Sequence, residues 1–117
     1  MKLKFYEYEK CSTCAKARKW MEEKGKNFVR IPIRERTPSR QELFQLLAHH
    51  QGNLKKLLNT SSKDYRDSQI KDALSYMSEN DVLDLLQKNG NLIKRPVLIG
   101  ADFALQGFKS EEWEKRL

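Results

Sequence analysis

The sequence predicts a single α/β domain over residues 1–117: a β-α-β unit, an all-helical insert of about residues 40–87, and a β-β-α unit. Three observations carry this prediction. Apolar residues recur in twos at both ends of the chain and in threes and fours through the middle. Capping residues and glycines bracket the helical stretches. A chain of 117 residues, which by area scaling buries about two-thirds of its unfolded surface, suits one core and not two.

The elements follow in order. Lys2–Tyr8 reads as a strand, with Leu3, Phe5 and Glu7 on one face and Lys4, Tyr6 and Tyr8 on the other. Glu9-Lys10 is a loop. Ser12 or Thr13 can cap the next helix, whose Ala17, Trp20 and Met21 recur at helical spacing before Gly25 ends it. Phe28–Ile33 alternates as a second strand, and Pro32 marks it as an edge or a terminus. Ser39 and Glu42 make a capping box ahead of Leu43, Phe44, Leu46 and Leu47. Gly52 breaks that helix, and Asn53–Leu58 reads as a short one. Asn59–Asp67 is polar apart from Tyr65 and reads as a connection. Ile70–Tyr76 reads as one or two helical turns. Ser78 with Asp81 caps a helix carrying Val82, Leu83, Leu85 and Leu86, closed by Gly90. Period two returns in Leu92–Ile99, and Gly100-Ala101-Asp102 turns into a second strand, Phe103–Gln106, as a hairpin. Ser110 caps a final helix holding Trp113 and Leu117, with Glu111 and Glu112 in its first turn. Trp20 and Trp113 read as core packing. This is the thioredoxin-like order, with the insert at one end.

Composition narrows the function classes. Hydrophobic residues make up 38% and charged residues 33%, and mean hydropathy is −0.80, which describes a wet surface around a modest core. No stretch approaches the ~20 apolar residues of a membrane span. No apolar segment follows Lys2 and Lys4 as a secretory signal requires. A cytoplasmic protein is therefore expected. The net charge of +7 admits an acidic partner. The basic residues are scattered among acids, however, so direct nucleic-acid binding is not expected.

Chemistry concentrates at Cys11-Ser12-Thr13-Cys14, a strand-to-helix junction. A helix N-terminus stabilises a thiolate through its unpaired N–H groups and its dipole. Cys11 is the expected nucleophile. Cys14, three residues on and on the same side of the helix, is the expected resolving thiol. Together they are a candidate redox-active disulfide, with Lys10, Lys16 and Arg18 adding positive potential. A zinc site is a competing reading, but only His49 and His50 could join the two cysteines, and that set matches no zinc pattern. No metal is expected. His49-His50 reads instead as a solvated helix end.

Arg95-Pro96 precedes the apolar run Val97-Leu98-Ile99. Either Pro96 simply starts an edge strand, or its peptide bond is cis and brings Arg95 and its peptide groups to Cys11. In the second case Pro96 borders a substrate site and Arg95 lowers the thiol pKa or binds an anion. The sequence leaves both readings open. Tyr65-Arg66-Asp67 reads as a surface loop or helix start from which Arg66 can reach an anion.

These segments resemble the arsenate reductase-like branch (ArsC, Spx and YffB) of the thioredoxin-like superfamily over nearly the whole chain. The resemblance rests on Cys11–Ala17, Thr37–Leu43, Leu57–Ser61 followed by Tyr65-Arg66, Asn91–Ile99 and Gly107–Trp113. It implies a catalytic cysteine at Cys11 and an oxyanion-binding arginine at Arg95. True arsenate reductases of this type carry further arginines where this chain has Asn59 and, approximately, Phe108. The resemblance therefore points away from arsenate and towards a thiol–disulfide oxidoreductase or a thiol-dependent reductase. No bound cofactor is implied. Glutathione is the expected reductant, because its carboxylates suit a basic site. The alternative is an Spx-like transcription regulator, switched by the cysteine pair and binding the C-terminal domain of the RNA polymerase α subunit.

Overall fold

The computed structural model describes every residue except Met1, Ser68 and Gln69. Four strands form one mixed sheet: β1 (Leu3–Glu7), β2 (Phe28–Pro32), β3 (Val97–Ile99) and β4 (Ala104–Gln106), in the spatial order β2-β1-β3-β4. β1 runs parallel to β2, and the helix α1 (Ser12–Glu23) connects them. β3 is antiparallel to both β1 and β4. The β-α-β and β-β-α halves thus join at β1 and β3, where Tyr6 pairs with Val97.

Alternation along β1 sends successive residues to opposite faces. Phe5 enters one core with Ala17 and Met21 of α1, Leu98, Leu105, and Trp113 of α6 (Ser110–Arg116). Tyr6 enters the other, formed with α2 (Arg40–His49), α5 (Glu79–Lys88) and the segments between them. The result is three layers, with α1 and α6 on one side of the sheet and the insert on the other. Trp113 is fully buried and Trp20 packs edge-on against it, as expected of core tryptophans.

The insert is built of helices joined by turns, with no named strand among its described residues. Leu54–Leu57 is a 3-10 turn, and α3 (Lys63–Asp67) and α4 (Ile70–Ala73) are short. Both predicted capping boxes are present, at Ser39/Glu42 and Ser78/Asp81. Some boundaries differ from expectation. Val29 in β2 is exposed because β2 is an edge strand, so its alternation is incomplete. The stretch read as one strand from Leu92 is shorter: Gly90–Leu92 is a 3-10 turn, and Ile93 makes a single bridge to Leu58. Asn89, not Gly90, caps α5. Gly90 instead lies against β2's exit: a Cβ there would sit 2.0 Å from the Ile33 carbonyl oxygen. Lys109 precedes α6 without a side-chain cap, and Ser110 is already helical. No described helix is long and apolar enough to cross a membrane.

Candidate active site

The end of β1 delivers the chain to Cys11, whose backbone N–H donates to the Tyr8 carbonyl at 3.0 Å. Cys11 itself, not Ser12 or Thr13, is the N-cap of α1. Its Sγ accepts the backbone N–H of Cys14 at 3.3 Å. A thiolate accepts such a bond as the hydroxyl of Ser12 or Thr13 would. Cys11 is half-buried in a cleft, whereas Cys14 is fully buried beneath it, and both thiols are free.

The two sulfurs have opposed acidities. Partial burial works against ionising Cys11, but hydrogen bonds from the Cys14 thiol and backbone and the Arg95 guanidinium outweigh it, so its pKa falls below the ordinary thiol value. Burial pushes Cys14 up to about 12, and its hydrogen bond to Cys11 adds to the rise. One proton is therefore held on Cys14 and directed at the Cys11 sulfur.

The Arg95–Pro96 peptide bond is cis, and β3, which follows it, is an interior strand and not an edge. Pro96 is buried, and Arg95 stands beside Cys11. The guanidinium lies 4.7 Å from the centre of the Tyr8 ring, and Arg34 lies 4.8 Å from the same ring. Arg95 Nε and Nη1 are buried without a hydrogen-bond partner among the described residues.

The cleft has a volume of about 510 Å³. Ser12, Thr13, Asn59, Lys94, Arg95, Phe108 and Lys109 are among the residues around Cys11. Asn59 and Phe108, which stand where further arginines would be expected, both face this cleft. Arg66 does not: it is exposed and donates to the Ser61 carbonyl at 3.1 Å. Arg18 and Arg30 are both paired with the buried carboxylate of Glu7, so Arg18 is not an unpaired charge for Cys11.

Sequence reasoning also missed Gln106. This buried amide donates to the carbonyls of Leu57 at 3.1 Å and Lys94 at 2.7 Å. Its Oε1 is thereby left as the acceptor for His50 Nε2 at 2.8 Å. His50 is thus a bonded, half-buried group and not a solvated helix end, while His49 pairs with Glu112 at 3.3 Å. A polar residue on an inward strand position was the available signal.

A sequence model of the ArsC family matches residues 6–116. The chain belongs to the ArsC family. It is 44% identical over 115 residues to the uncharacterised protein YusI of Bacillus subtilis strain 168, covering 98% of each. It is 28% identical over 102 residues to the global transcriptional regulator Spx of Streptococcus pyogenes serotype M1, covering 87% of this chain and 75% of that one. Among solved structures, an ArsC family related protein from Bacteroides fragilis superposes with a TM-score of 0.87 at 38% identity, covering 98% of both chains. A possible arsenate reductase from Streptococcus mutans UA159 gives 0.85 at 34%, covering 96% of this chain and 97% of that one. The thioredoxin-like fold predicted from the element order is thereby shown for this ArsC family member.

Proposed function

We propose that this ArsC family member is a cytoplasmic thiol–disulfide oxidoreductase in which Cys11 attacks, Cys14 resolves and Arg95 stabilises the attacking thiolate. The observation that carries the reading is the placement of two free thiols at one helix N-terminus: half-buried Cys11, the N-cap of α1, whose Sγ accepts the Cys14 N–H at 3.3 Å, and Cys14 fully buried behind it.

The chemistry follows from these positions. The Cys11 thiolate attacks one sulfur of a substrate disulfide. That S–S bond breaks, one substrate thiolate leaves and takes a proton from solvent, and a mixed disulfide remains on Cys11. Cys11 then no longer carries the charge that adds to burial in holding the Cys14 proton. Cys14 gives up its proton to solvent and attacks the Cys11 sulfur. The second substrate thiolate leaves, and a Cys11–Cys14 disulfide forms. Two electrons have passed from the protein dithiol to the substrate. Two equivalents of a thiol such as glutathione reset the pair and become the corresponding disulfide. Arsenate is not the favoured substrate, because Asn59 and Phe108 add no cationic donors beside Arg95.

Cys11→Ser is expected to abolish thiol exchange. Cys14→Ser is expected to accumulate mixed disulfides on Cys11, visible by intact-protein mass. Full activity in Cys11→Ser would overturn the roles. A second reading, favoured by the similarity to Spx, is a redox-switched regulator that binds the RNA polymerase α subunit. Capture of the α C-terminal domain in one redox state only, without turnover of any disulfide, would select it.

A further inference from the structure

β4 ends in a polar residue turned inward. Along the strand, Ala104 packs into the core on the insert side and Leu105 into the opposite one, so alternation sends Gln106 to the insert side with Ala104. A buried amide costs free energy unless its donors and its oxygen are paired. At Gln106 both are. The two N–H groups of Nε2 go to the Leu57 carbonyl and the Lys94 carbonyl, and Oε1 accepts from His50 Nε2.

These partners lie at one place in the backbone. The segment before β3 runs antiparallel to the insert at the Leu58–Ile93 bridge. There the Asn59 N–H donates to the Leu92 carbonyl at 2.8 Å, and the Lys94 N–H donates to the Leu57 carbonyl at 2.9 Å. Gln106 closes the end of this pairing by binding the Leu57 and Lys94 carbonyls together. Two residues further on, Pro96 has no N–H to donate, but its carbonyl accepts the Gly107 N–H at 2.9 Å. Gln106 by its side chain and Gly107 by its backbone thus hold the chain on either side of Arg95. The Arg95 side chain has few anchors of its own. Its Nε and Nη1 are buried with no hydrogen-bond partner among the described residues, so the guanidinium is aimed by its backbone, by the Tyr8 ring and by Cys11 itself.

We infer that Gln106, oriented by His50, is a positioning residue for Cys11: by fixing the Lys94 carbonyl it sets the backbone from which Arg95 reaches the Cys11 sulfur. The inference rests on the reading of Cys11 as the attacking thiol with Arg95 beside it, and it adds the β4 residue that keeps the two together. A Gln106 that only satisfied core carbonyls would alter stability when replaced and leave the acidity of Cys11 unmoved.

The test follows Cys11 alkylation by iodoacetamide against pH in the reduced protein, by peptide mass, with the unfolding temperature of each variant measured alongside. Gln106→Met keeps the length of the side chain and cannot donate. It is expected to move the alkylation midpoint to higher pH and to slow the reaction near neutral pH by about threefold, roughly half a pKa unit, for a cation displaced and not removed. The double variant R95Q/Q106M is expected to match R95Q within about twofold, because Gln106 acts through Arg95, whereas independent effects would multiply to about thirtyfold. His50→Leu and His50→Gln carry the test if Q106M does not fold. H50L removes the donor to Oε1 and should slow alkylation in the same direction by about twofold, while H50Q offers an amide N–H at a similar reach and should restore the rate. An unshifted profile in folded Q106M would overturn the inference, as would multiplying effects in the double variant or equal profiles in H50L and H50Q. Turnover of neutral 2-hydroxyethyl disulfide tests the parent reading separately. Turnover with an unshifted Q106M profile refutes the positioning role alone, and a shifted profile without turnover refutes the oxidoreductase alone.

Discussion

A thiolate that caps a helix gains from the N–H it accepts, and the gain grows with the charge on the sulfur. This is the situation of Cys11, which takes the Cys14 N–H at 3.3 Å with Arg95 alongside. Alkylation of Cys11 is therefore expected to persist at pH values where an ordinary thiol has lost most of its reactivity. Cys14, held protonated and buried, should stay unmodified below about pH 9. Arg95→Gln should reduce the alkylation rate of Cys11 near neutral pH by roughly tenfold, since an adjacent cation moves a thiol by about a unit or more. Peptide mass mapping across a pH series reads each thiol separately. An unchanged profile in Arg95→Gln would place Arg95 outside the site. These residues were legible because their chemistry depends on local spacing: two cysteines three apart at a strand–helix junction, and a proline ahead of an apolar strand. Arg66 was misplaced because its position depends on the path of the insert, which no local spacing encodes.

The elements are held by devices of similar kind, and two make direct tests. Glu42 closes the capping box of α2 and also accepts from the Tyr6 hydroxyl at 2.6 Å and from Lys4 at 3.0 Å, tying the insert to β1. Burial works to raise its pKa, but the bonds from Tyr6, Ser39 and Lys4 outweigh it, so the folded value is depressed. A depressed carboxylate contributes stability that is present above the unfolded pKa and lost as pH falls through the folded one. Glu42→Gln should therefore lower the unfolding temperature at pH 7, with the difference from the unaltered protein shrinking towards pH 3. A constant difference across that range would refute an ionic role for Glu42. Gly90 is the second test. Its missing Cβ is what allows the turn after α5 to reach the Ile33 carbonyl, so Gly90→Ala should cost about 1–3 kcal/mol by denaturant unfolding. The capping boxes could be read from sequence because their partners lie three residues apart. The role of Gly90 could not, because its neighbour is a backbone atom from another part of the chain.

In the whole molecule, the two halves of the sheet meet so that β1 ends at Cys11 while the approach to β3 carries Arg95 and Pro96. The alternation of β1 and the strand-helix order made this architecture legible, since Phe5 and Tyr6 were already assigned to opposite faces. What remained hidden was the Gln106 junction, because it joins β4 to the insert and to the residues before β3 through side-chain and carbonyl atoms far apart in sequence. That junction ties the insert to the Cys11 cleft, which Asn59, Ser61 and Ser62 of the insert line. The Cys11–Cys14 couple is the centre of the proposed mechanism. The measurement that tests it most directly is the midpoint potential of that couple. The protein is equilibrated in graded thiol–disulfide buffers, alkylated, and its free thiols counted by mass. A single two-electron transition is expected within roughly −180 to −300 mV, where cellular thiols can cycle it. Absence of an intramolecular disulfide across the whole range would contradict it, and Cys11 would then act without Cys14.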